Sequence, residues 1–148
     1  MPTQIIATDH PLTPSEQQIL AALLDPLLPA TEDGRMPSAA DLDLVGYLAE
    51  SAPEIVPQLA GIVGCFDQTF TGLSLEDRYA LVTDFSQTQP HLFEPLLRHT
   101  YTCYYQDERV LIGIGLSGSP PFPTGNTVEA GDLSLLDAVV SKTRSYRK

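Results

Sequence analysis

The pattern with the most specific chemistry in this 148-residue chain is a glycine run, Gly113 to Gly118 (GIGLSG), which matches G-x-G-x-x-G. In dinucleotide-binding proteins this pattern joins a strand to a helix whose N-terminus faces the pyrophosphate. Here Ser-Pro-Pro-Phe-Pro follows the last glycine, and this proline-rich sequence does not begin such a helix. No βαβ pattern surrounds the run. We therefore expect no cofactor bound to this chain.

Four side chains could ligate a metal ion. His99 and Cys103 lie four residues apart in one predicted helix, and Cys65 with His91 would complete a Cys2His2 set. The chain lacks the C-x2-C and H-x3-H pairs that give such sites their geometry. We therefore predict no metal site. Both cysteines are interpreted as free thiols buried in apolar surroundings, with a disulfide between them as the alternative.

The sequence contains no specific pattern for nucleophilic or acid–base catalysis either. The G-x-S-x-G elbow of α/β hydrolases is absent, and the nineteen carboxylates are numerous enough to form chance pairs on a solvated surface. We predict no catalytic residues, so the chain is not expected to be an enzyme by itself. A free-standing enzyme of unknown type remains an alternative.

A tyrosine-rich and proline-rich stretch over residues 101–125 favours docking to another protein. Adjacent residues on a helix diverge by about 100°, so Tyr101, Tyr104 and Tyr105 cannot all face one core. The prolines that follow favour a stiff extended arm, and tyrosine is enriched at interfaces. The alternative is that the tyrosines occupy core and boundary positions and have no binding function. The predicted interface residues here are Tyr101, Tyr104, Tyr105, Pro120, Pro121, Phe122 and Pro123.

Charge is distributed unevenly. Residues 1–77 hold twelve acidic side chains and one basic, whereas residues 78–148 hold seven of each. An acidic front half argues against nucleic acid and anionic membrane as partners, and we expect no direct membrane insertion. Four basic side chains end the chain: Lys142, Arg144, Arg147 and Lys148. They either form a solvated tail or bind an acidic partner. In the second case Arg144 and Arg147 would contact that partner.

Apolar residues recur with helical spacing along most of the chain. We therefore predict an all-α single domain, 1–148, of about five to six helices. The Thr13-to-Glu16 segment is a capping box, Ser38 begins a second helix, and the longest helix runs roughly over 90–106. Residues 1–12 are expected to be an extended arm. Residues 116–131 are expected to form a long Pro/Gly-rich loop before a last helix capped by Asp132.

The segments 12–42, 73–82, 93–125 and 132–147, in this order and spacing, resemble the gluconate 2-dehydrogenase subunit 3 family. The likeness covers about residues 12–147. Its most specific parts are the N-terminal LTPSE…LLPA pattern, the helix from Phe93 to Tyr105 with the acidic turn and Arg109 that follow it, and the final DLSLLD…YR segment. Members are small (gamma) subunits of FAD-dependent dehydrogenases of the glucose–methanol–choline type.

The resemblance implies a helical, cofactor-free accessory subunit with Arg109 near its interface. Its partner would be the large FAD subunit, joined in many complexes by a cytochrome subunit. The substrate would be a sugar or related alcohol. The chain departs from the family in lacking the N-terminal export signal, so we expect a cytoplasmic location, or a sequence from which a leader was removed. A self-associating structural or adaptor protein without an oxidoreductase partner is the alternative.

Overall fold

Helices make up all the regular structure in the residues that the computed structural model describes, which are 10–118, 129–140 and 142. The predicted all-α class is thereby confirmed. The chain divides into two compact units, residues 1–118 and residues 119–148. The single domain, the N-terminal arm and the long loop stay predictions, because residues 1–9 and 119–128 lie outside the described part.

Seven α-helices occur in the described residues, one more than the upper end of the expected range. Their bounds are α1 Pro14–Leu24, α2 Leu44–Ser51, α3 Val56–Val63, α4 Leu75–Thr88, α5 Pro90–Tyr104, α6 Glu108–Gly113 and α7 Asp137–Val140. Short 3-10 helices cover Ala39–Asp41, Gln68–Gly72 and Leu133–Leu136. None of the described helices is long and apolar enough to cross a membrane.

Local capping determines where the first two helices begin. At α1 the predicted capping box is confirmed, since Glu16 N–H donates to Thr13 Oγ1 at 3.3 Å and Thr13 N–H donates to Glu16 Oε2 at 2.7 Å. The predicted start of α2 at Ser38 is wrong. Ser38 caps only the 3-10 turn, Leu42 is extended, and Asp43 caps α2 by accepting the Gly46 N–H at 3.0 Å.

The core of the first unit lies among α1, α2, α3 and α5, which contact one another in several pairs. Leu23, Leu48, Leu59 and Leu96, one from each helix, have no exposed surface. Thr100 is the one buried polar residue of α5, and its hydroxyl donates to Leu96 O at 2.8 Å within the same helix. Apolar packing therefore makes up most of the buried contact of α5, the helix that carries the tyrosines.

The second unit is described over 129–140 and at residue 142. Asp132 caps its 3-10 helix as predicted, accepting the Ser134 N–H at 3.0 Å. Leu133, Leu136 and Val139 recur every three residues and are exposed. This short helical segment therefore presents apolar side chains to its surroundings.

Candidate docking surface

The tyrosines of α5 divide between core and surface. Tyr101 and Tyr105 are 39 % and 48 % exposed, and their rings stack with centroids 6.4 Å apart and planes 8° from parallel. They lie four residues apart, so they share one face of the helix. Tyr104 lies on another face and is buried. The expectation that these three residues cannot all face the core is therefore confirmed.

Tyr104 is a core residue and does not offer a surface anchor, which removes it from the predicted interface. Its hydroxyl donates to Pro37 O at 2.9 Å, joining the end of α5 to the segment before α2. Burial, with smaller contributions from Tyr105 and Asp107, raises the pKa of Tyr104. The phenol therefore remains protonated at neutral pH and able to donate this bond.

Exposed aliphatic side chains also occur on α6 and in the turn after it. Ile112, Ile114 and Leu116 are 57 %, 48 % and 58 % exposed, while Val110 on the same helix is fully buried. α6 was not predicted from the sequence, because its first residues were interpreted as part of an acidic turn and its last residue, Gly113, opens the glycine run. We call Tyr101, Tyr105, Ile112, Ile114 and Leu116 the docking surface. Such exposure of large apolar side chains is typical of protein-binding surfaces.

Two glycines of the GIGLSG run allow the backbone geometry that positions α6 and the turn after it. A Cβ on Gly113 would lie 2.5 Å from Met36 Sδ and 2.8 Å from Arg35 O, so α6 approaches the 35–36 backbone closely. Gly115 has φ +84° and ends α6. Its N–H donates to Ile112 O at 3.0 Å, and Leu116 N–H donates to Leu111 O at 2.8 Å, the bonds of a Schellman motif.

Arg109 is held beside the docking surface by Asp107. Its Nε and Nη2 donate to the two oxygens of Asp107 at 2.9 and 2.8 Å, and Nη2 lies 3.3 Å from Asp41 O. Asp107 also caps α6. Hydrogen bonding to Arg109 lowers the pKa of Asp107, and the same contact raises the pKa of Arg109. Both groups are therefore charged at neutral pH, and the side chain of Arg109 remains 53 % exposed.

The remaining predicted interface residues lie outside the described part of the chain. They are Pro120, Pro121, Phe122, Pro123, Arg144 and Arg147. Their part in an interface stays a prediction.

The cysteines are free thiols, but the expected burial holds only in part. Cys103 is half-buried, and burial raises its pKa, with smaller contributions from Asp107 and Asp43. The prediction for Cys65 is wrong, because α3 ends just before it and leaves it exposed in the following turn. Within the described ranges, no three His, Cys, Asp or Glu side chains are arranged to hold a metal ion.

Comparison with known proteins adds no relative. No protein-family model matches the chain, and neither the curated proteins nor the solved structures contain a match.

The close approach at Gly113 predicts a stability difference between two glycine substitutions. Gly113→Ala is expected to lower the free energy of unfolding by about 1–3 kcal/mol, because a Cβ there meets backbone as well as the Met36 side chain. Gly61→Ala is the matched control. Gly61 lies in α3 with nothing within 4 Å of an added Cβ, so we expect stabilisation of about 0.5–1 kcal/mol.

Urea denaturation measures both changes. Equal effects of the two substitutions would contradict the packing of α6 on the 35–36 segment.

Proposed function

We propose that this chain is a non-catalytic small subunit that binds and stabilises a FAD-dependent oxidoreductase acting on a sugar or related alcohol. The observation that carries the proposal is the concentration of exposed apolar side chains over residues 101–116. Five of the eight large hydrophobic residues exposed in the first unit fall within this range. It coincides with the part of the sequence that most specifically resembles the gluconate 2-dehydrogenase subunit 3 family.

The docking surface would act by burying its apolar side chains against the flavoprotein. Transfer of one large aliphatic or aromatic side chain from water contributes about 1.5–3 kcal/mol, and association opposes this with lost translational and rotational freedom. Tyr101 and Tyr105 stack on each other, and each tyrosine has only two χ angles to fix on binding, so their entropy cost is low for the contact area they offer. Arg109, beside them, would contribute a charged contact at the edge.

Catalysis in this proposal belongs to the partner. The FAD would be bound by the large subunit, and a cytochrome subunit would accept electrons in complexes that contain one. This chain would contribute stability to the flavoprotein, and the complex would work in the cytoplasm.

Co-expression with the large subunit of a FAD-dependent dehydrogenase of the glucose–methanol–choline type tests the stabilising role. We expect the yield of soluble, FAD-loaded flavoprotein to rise when this chain is present. An unchanged yield, together with a homodimer of the chain in light scattering, would favour the self-associating adaptor instead.

A further inference from the structure

A second candidate site is a cleft of about 420 Å³ between the 3-10 helix Gln68–Gly72 and the second half of α4. It shares no residue with the docking surface. Phenylalanines form its base, with Phe66 centred 4.6 Å from Phe70 and 5.2 Å from Phe85. Phe70 and Phe85 are almost fully buried, whereas Phe66 is partly exposed and Leu81, on α4, is 45 % exposed. The cleft is thus within the size range of small-molecule sites and offers an apolar contact.

The two walls of the cleft each carry a carboxylate. Asp67 lies on the wall before the 3-10 helix and Asp84 on the α4 wall, and no Lys, Arg or His is among the lining residues. Asp67 Oδ1 accepts the hydroxyl of Thr69 and also its N–H at 2.9 Å. These bonds lower the pKa of Asp67, so it carries its charge at neutral pH. The cleft therefore combines an aromatic base with negative charge from both sides.

We propose that this cleft binds a small amphipathic organic cation, a protonated amine on an apolar body. The body would contact Phe66 and Leu81, while the ammonium group would lie between the carboxylates of the two walls. Attraction to an aromatic ring and to carboxylates favours a cation over a neutral molecule of the same shape. An anion would be repelled by both carboxylates. The site needs no flavoprotein, so it stands or fails independently of the proposed function.

The test uses the full chain and three probes that differ mainly in charge: 2-phenylethylammonium, 2-phenylethanol and 3-phenylpropionate. We expect the amine to shift backbone NMR signals of residues 65–73 and 81–89, and to bind about tenfold more tightly than the alcohol. The carboxylate probe should not bind. Equal affinity of amine and alcohol, or shifts confined to other residues, would overturn the proposal.

Cys65 provides an independent reporter, because it is an exposed free thiol that lines the cleft. The amine should slow alkylation of Cys65 by iodoacetamide and leave alkylation of the half-buried Cys103 unchanged. Equal slowing at both thiols would show an effect on the reagent or on the whole protein, and would count against the site.

Substitution of Asp84 separates charge from folding, since Asp67 also caps the 3-10 helix and its loss could disturb the fold. We expect Asp84→Asn to reduce the affinity for the amine about fivefold without changing that for the alcohol. Glu50→Gln, at an exposed position of α2, makes the same change in net charge and should have little effect. Equal losses in the two variants would mean that only overall charge matters, which would overturn the site.

Discussion

Replacing Arg78 by methionine is expected to lower the free energy of unfolding by about 2–3 kcal/mol. Arg78 Nη2 donates to Asp25 Oδ2 at 2.9 Å, and Nη1 donates to Ala22 O at 3.0 Å at the end of α1. Ser38 donates to the other Asp25 oxygen at 2.6 Å. This network joins α1, α4 and the segment before α2. Its side chains are largely buried, with 15 % of Arg78 and 26 % of Asp25 exposed.

The size of this effect follows from what the substitution leaves behind. Methionine keeps much of the apolar stem of Arg78 but leaves the Asp25 carboxylate half-buried without its cation, which costs more than the pair contributes on its own. We place the loss at or below the lower end of the usual range of about 3–5 kcal/mol. The reason is that Arg78 Nε is buried without a hydrogen-bond partner in the described structure.

Arg98→Met is the matched control, since Arg98 is exposed on α5 and should change stability by less than about 0.5 kcal/mol. Chemical denaturation of both variants gives the comparison. A double-mutant cycle with Asp25→Ala should show a coupling of about 1–3 kcal/mol between the two residues. Additive effects would mean that the ion pair does not hold these helices together.

Tyr105→Ala is expected to weaken binding to the flavoprotein partner by about 2 kcal/mol or more, close to thirtyfold in Kd. Tyr105 presents 48 % of its surface and stacks on Tyr101, so truncation removes one exposed ring and leaves the other unsupported. Tyr105 also contacts Tyr104 edge to face, with ring centroids 5.3 Å apart. Unfolding of the variant must therefore be measured alongside binding.

Tyr79→Ala is the control for Tyr105→Ala. Tyr79 is 61 % exposed, but it lies on α4, outside the docking surface. We expect its truncation to change affinity by less than about 0.5 kcal/mol. Titration calorimetry with the purified flavoprotein measures both values. Similar losses for the two tyrosines, or no loss at Tyr105, would remove the α5–α6 end as the centre of the interface.

Sequence reasoning predicted the features of this fold that depend on neighbouring residues. The capping box at Thr13 and the cap at Asp132 need only a short side chain and a nearby N–H, so they can be read locally. Helical spacing likewise predicted the all-α class that the described residues show. The angle between adjacent helix positions correctly predicted that at least one of the three tyrosines lies at the surface, but it did not predict which one.

Features that depend on distant contacts were missed. Ser38 resembles the start of a long helix, yet Asp43 provides the cap from which α2 runs. Gly113 is needed where α6 meets Met36, a residue 77 positions earlier, and no local pattern shows that contact. α6 itself is short and overlaps a glycine run, so its exposed Ile112 and the exposed Ile114 that follows it were not named among the predicted interface residues.

Binding to a flavoprotein, which we propose for this chain, can be measured by co-purification. The tagged chain would be co-expressed with the large subunit of a FAD-dependent dehydrogenase of the glucose–methanol–choline type, captured, and passed over a size-exclusion column with detection at 280 and at about 450 nm, where oxidised flavin absorbs. Wild-type chain should elute with the flavin absorbance in one complex peak, and a Tyr101→Ser/Tyr105→Ser variant should lose most of it while remaining folded. A wild-type chain that elutes without flavin absorbance would contradict the account.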